Sequence, residues 1–83
     1  MVRASKLYER LVATRAAMRF RDFQRVLGAF GFTLDRIKGS HHNYRHPLVP
    51  RPLSIQPRGN MAKPYQIEQF LDIVEEFGLR IVE

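Results

Sequence analysis

The sequence predicts an α+β domain in which a three-stranded antiparallel sheet carries helices on one face, with an extra helix at its N-terminal end. Three observations lead there. Apolar residues recur at three- and four-residue intervals twice, at Phe20, Phe23, Val26, Leu27 and Phe30, and again at Ile67, Phe70, Leu71, Val74 and Phe77. Between these stripes, residues 32–57 break into short segments separated by Gly and Pro, the pattern of strands and turns. The chain has 83 residues, and a chain this short buries only roughly 60% of the surface it exposes when unfolded. One small core is all it can build.

The elements follow in order. Ala4 to Val12 places Leu7 and Leu11 at helical spacing beside Tyr8 and Val12, with Ser5 or the residues just before it as the expected cap. Phe20 to Phe30 is the second helix. Gly28 weakens it slightly and Gly31 stops it. Nothing between Thr14 and Arg19 decides whether the two helices are continuous. Phe32, Leu34 and Arg36 alternate with Thr33, Asp35 and Ile37, which predicts a strand. Lys38-Gly39-Ser40 is a turn, and His41 to His46 a second strand ended by Pro47. With two prolines, Leu48 to Pro52 reads as an irregular connection. Leu53 to Gln56 is the third strand, stopped by Pro57, and Arg58-Gly59-Asn60 is a loop. Pro64 suits the first turn of the last helix and Gly78 its end. Consecutive strands with short connections pair antiparallel, and two amphipathic helices would cover one sheet face and leave the other open.

Composition narrows the function. A chain without cysteine has no disulfides, no thiolate zinc site and no thiol nucleophile. The first residues carry charges and lack the apolar core of a signal peptide, and no apolar run approaches a membrane span. A soluble cytoplasmic protein is expected. So small a domain has little room to enclose a small molecule, so its partner should be gripped on an open face. The net charge is +6, and its placement is informative. Arg36, Lys38, Arg45, Arg51, Arg58 and Lys63 fall between residues 36 and 67, where there is no Asp or Glu. The other eight basic residues are matched by eight acidic ones. The whole excess lies in one central segment that also holds all three histidines. Such a concentration points to a polyanion, whereas a membrane surface would call for an amphipathic basic helix.

Within the predicted second strand, alternation puts His42, Tyr44 and His46 on one face and His41, Asn43 and Arg45 on the other. Three histidines in six residues suggest a metal, but no carboxylate or thiolate lies nearby and the neighbours are cationic, so none is expected. Ribonuclease chemistry fits better. RNA supplies its own nucleophile, the 2′-hydroxyl. The protein must supply a base, for which imidazole suits, a cation for the phosphate, and an acid for the leaving oxygen. His41 with Asn43 and Arg45 is such a set, with Lys38 and Arg58 as neighbours. Tyr44 marks the core face, so His42 and His46 read as structural. Any single strand histidine is more often structural than catalytic, and Arg36, Arg51 and Arg58 could form an ordinary solvated rim. Glu68, Asp72, Glu75 and Glu76 read as a plain exposed helix face, or one that turns RNA away.

Several of these residues resemble the HicA (YcfA-like) toxin family. Gly31-Phe32 ends a helix, Gly39-Ser40-His41 opens a strand, and Tyr44 and His46-Pro47 follow. Ser54 to Gln56 gives a short strand, Lys63-Pro64 leads into the last helix, and Gly78-Leu79 ends it. The resemblance covers roughly residues 20 to 80. It implies an α-β-β-β-α fold like that of double-stranded-RNA-binding domains, residues 1–19 being an N-terminal helical extension and 20–83 the ribonuclease domain. It further implies ribosome-independent, metal-independent mRNA cleavage by a histidine of the Gly-Ser-His motif, no cofactor, and neutralisation by a HicB-type antitoxin protein. His41 is the matching position and His42 its rival. Lys38, Ser40, Asn43, Arg45, Arg58 and Lys63 are the candidate RNA contacts. The helical segment before Phe20 and the proline-rich stretch from Leu48 to Pro52 depart from the family pattern. Two other functions compete: a non-catalytic RNA-binding module of the same fold, and a protein-interaction domain that meets an acidic partner. A histidine among basic residues favours cleavage, since Arg and Lys suffice for phosphate binding.

Overall fold

A computed structural model of the chain describes residues 3–15 and 18–82. The order is α1 (Ala4–Thr14), α2 (Phe20–Ala29), β1 (Thr33–Lys38), β2 (His41–His46), β3 (Val49–Ile55), β4 (Pro57–Arg58), β5 (Met61–Ala62) and α3 (Pro64–Phe77). The sheet is antiparallel in the order β1-β2-β3, with helices on one face, so the α+β architecture is the expected one.

The core is where the helical stripes predicted it. Phe23, Val26 and Leu27 from α2, Phe30 at its C-cap, and Ile67, Phe70 and Leu71 from α3 are buried against Tyr44, Leu53 and Ile55 of the sheet. Phe70 is central, its ring edge-on to Phe23, Phe30 and Phe32 at centroid distances of 5.7, 5.3 and 6.0 Å. That geometry adds to simple area burial. From α1, Leu7 and Leu11 join the same core and Tyr8 packs edge-on against Phe30 at 4.8 Å. Arg3, just before Ser5, takes the cap position, without a side-chain hydrogen bond. Helix α1 is not continuous with α2: it ends at Arg15, whose left-handed backbone (φ 51°) turns the chain away. Pro64 occupies the first turn of α3, and Gly78 closes it at φ 61° with Leu79 donating its N–H to Val74.

Three local features differ from expectation. The first strand does not alternate cleanly, because its register shifts between Leu34 and Arg36. Leu34 pairs with Tyr44 on the helix side, whereas Arg36 pairs with Asn43 on the open side and Ile37 with His42 on the helix side. Second, β3 begins at Val49, not Leu53. Its prolines sit where the pairing slips between Tyr44↔Leu53 and His46↔Val49, on an edge strand where a missing N–H costs no ladder bond. Third, Gly59-Asn60 is the turn of a small β4–β5 hairpin, with Gly59 at φ 62°. This hairpin holds the start of α2: Phe20 N–H donates to the Asn60 carbonyl and Ala62 N–H to that of Met18, both at 2.8 Å.

Candidate functional site

Strand β2 aims its three histidines into three environments. His42 faces the helices, half-buried, with its ring edge-on to Phe20 at 5.0 Å. Its Nδ1 lies 3.0 Å from the Ser40 carbonyl, which can only accept. The proton of the neutral ring therefore sits on Nδ1 and Nε2 is an acceptor. His46 is fixed at both nitrogens: Nε2–H donates to the Phe30 carbonyl at 2.9 Å, and Nδ1 accepts the Leu48 N–H at 3.1 Å. Its ring also tilts against Phe32, 4.9 Å away. His41 is exposed and lies opposite Lys38 in the ladder, so the two side chains share the open face. Among the described residues its ring has no hydrogen-bond partner, and no three His, Asp or Glu side chains converge to hold a metal ion.

His41 lines a groove of about 530 Å³ between β3 and α3. At its end of the groove stand Gln56, Tyr65 and Gln66; toward the other lie Arg51 and Asp72. Two contacts set this geometry. The Gln56 N–H donates to Gln66 Oε1 at 3.0 Å, which ties the end of β3 to the first turn of α3. Arg51 pairs with Glu76 at 3.2 Å and stacks over Phe77, which ties the start of β3 to the last turn. Strand and helix therefore run antiparallel along the groove.

The expected contact residues divide. Lys38 stands beside His41. Asn43 and Arg45 line a smaller pocket of about 280 Å³ on the open sheet face with Asp35, Arg36 and Pro52, and Pro52 also borders the groove, so the two surfaces adjoin. The register shift after Leu34 puts Asp35 there, where its carboxylate holds Arg45 at 3.2 Å and Arg36 at 3.7 Å. Ser40 lies in the β1–β2 turn and contributes its carbonyl to His42. Arg58 on the β4–β5 hairpin and Lys63 at the N-cap of α3 line neither pocket.

The four polar groove residues that α3 contributes, Tyr65, Gln66, Gln69 and Asp72, are not marked as site residues by any pattern in the sequence, and neither are Arg51, Ser54 and Gln56 across from them. The apolar spacing from Ile67 to Phe77 marks the buried stripe of α3 rather than what its flank faces. The acidic face of α3 is largely exposed, as expected, and part of it is engaged. Glu68 pairs with Arg15 at 3.0 Å, Glu76 with Arg51, and Asp72 turns into the groove. As exposed pairs these contribute at most about 1 kcal/mol each.

The HicA toxin model of bacterial toxin–antitoxin systems matches residues 20–78, from the first residue of α2 to the cap of α3. Comparisons with curated proteins and with solved structures find no match. The matched span takes in the whole sheet, the Gly39-Ser40-His41 turn and both walls of the groove, and the chain belongs to the HicA toxin family of bacterial toxin–antitoxin systems.

Proposed function

We propose that the protein is a toxin that acts in the cytoplasm as an endoribonuclease, cutting mRNA without a metal ion or the ribosome, and that a HicB-type antitoxin neutralises it. The observation that carries this reading is the exposed His41 ring beside Lys38 at the mouth of the groove. In the proposed reaction the RNA 2′-oxygen attacks the adjacent phosphorus while the bond to the 5′-oxygen breaks. One proton leaves the 2′-hydroxyl and one is delivered to the departing 5′-oxygen, so the step balances and yields a 2′,3′-cyclic phosphate. His41 serves one of the two transfers, and the Lys38 ammonium offsets charge gathering on the phosphate. No bound cation is needed for either task.

His41 is preferred to His42 because a ribose phosphate must reach the ring. His42 offers Nε2 as an acceptor, but its ring is half-buried against Phe20. Ser40, Asn43 and Arg45 extend the contact surface across the open face, with Arg58 and Lys63 engaging more distant phosphates.

The test incubates purified protein with single-stranded RNA in excess EDTA and analyses the product ends. Cleavage should persist and leave 2′,3′-cyclic phosphates with 5′-hydroxyls. Arrest by the chelator, or 5′-phosphate products, would rule out this chemistry. Tight binding of RNA without any cutting would instead identify a binding module.

A further inference from the structure

Tyr65 stands apart from the core, with 58% of its surface exposed, yet its ring is not loosely placed. Gln66, only 4% exposed, accepts the Gln56 N–H through Oε1 and donates through Nε2 to the Tyr65 hydroxyl at 3.3 Å. The end of β3 thus orients an aromatic ring on the groove wall, at the His41 end. An exposed ring on a groove wall serves as a stacking platform for a nucleobase.

The remaining wall chemistry agrees. Gln56 and Gln69 present amide donors and acceptors, and Asp72 presents a carboxylate. Amides and carboxylates match base edges; a carboxylate repels phosphate. The cation next to His41 is Lys38, on the neighbouring open face. The groove's own cation, Arg51, is held by Glu76 at 3.2 Å, whereas Lys38 meets no carboxylate among the described residues, so the charges sort an incoming strand: phosphate toward Lys38 and His41, base into the groove. A duplex cannot be sorted in this way, because its bases are stacked inside and its phosphates face outward.

We infer that the RNA segment next to the reacting phosphate is single-stranded, with one unpaired base stacked on Tyr65 and its edge met by Gln69, one turn further along α3. This rests on the ribonuclease reading above and narrows its substrate to unpaired RNA. The fold alone would suggest the opposite, since double-stranded-RNA-binding domains hold duplexes.

Binding is measured by fluorescence anisotropy with His41→Ala protein, which separates affinity from cleavage. The probes are one labelled RNA strand, free or annealed to its complement. The free strand should bind more tightly. Tyr65→Ala should weaken that binding by about 5- to 150-fold, the range of one base–aromatic stack, and leave duplex affinity unchanged, while Tyr65→Phe should recover most of the loss. The chain has no tryptophan, so Tyr65→Trp introduces a single indole whose emission should be quenched by the free strand. Equal affinity for strand and duplex, unaltered binding by Tyr65→Ala, or an unquenched indole would each overturn the inference. Cleavage by wild-type protein is followed in parallel. If it cuts neither RNA, the ribonuclease reading fails, and the titrations still decide whether Tyr65 holds a base.

Discussion

A neutral imidazole has one donor and one acceptor, and its neighbours decide what the ring can do next. At His46 both are engaged, one by the Phe30 carbonyl and the other by the Leu48 N–H. Replacing it by Ala leaves the Phe30 carbonyl unpaired in a half-buried place, while the exposed Leu48 N–H can turn to water. His46→Ala should therefore lose about 1–3 kcal/mol of stability, read as a lower urea midpoint, with RNA cleavage per folded molecule retained. His42 has one nitrogen engaged and His41 neither, so the capacity for proton exchange with a ligand grows along that series. Strand alternation alone separated His41 from the other two, so this much of the site was legible in the residues themselves. Tyr65 was not. Its place on the groove wall, on which its proposed role rests, depends on a Gln66 side chain that reaches back to Gln56 across a fold the local pattern does not encode.

At the scale of elements, what could be read was what local spacing encodes. The stripes of α2 and α3 gave both helices, and Pro64 and Gly78 bounded α3 correctly. What could not be read were departures from period. Asp35 carries no signal for the shift that puts Arg36 on the open face, and prolines in β3 are tolerated only because β3 lies at the sheet edge. Two substitutions test the element energetics. Phe70→Ala removes the ring shared by Phe23, Phe30 and Phe32 and should cost about 3–5 kcal/mol, enough to unfold much of the population in thermal denaturation. Gly28 lies within α2, and a Cβ there would meet nothing within 4 Å. Gly28→Ala should therefore stabilise the protein by about 0.5–1 kcal/mol, a gain of a few degrees in Tm.

Across the whole molecule, the +6 excess is not spread evenly over the cations of the central segment. Arg36 and Arg45 share Asp35, and Arg51 meets Glu76. Among the described residues Lys38, Arg58 and Lys63 meet no carboxylate. Binding to single-stranded RNA should weaken as salt rises, by about 0.7 logarithmic units per logarithmic unit of salt for each phosphate contacted. Lys38→Ala should lower that slope by one contact, seen in titrations at several salt concentrations. An unchanged slope would remove Lys38 from the interface. The central claim, that the imidazole at position 41 moves a proton during RNA cleavage, is tested most directly by single-turnover cleavage with wild-type, His41→Ala and His42→Ala proteins. The account predicts that His41→Ala slows cutting by about 10²- to 10⁴-fold while still binding RNA, and that His42→Ala keeps more activity than His41→Ala. Cleavage by His41→Ala at the wild-type rate would contradict it.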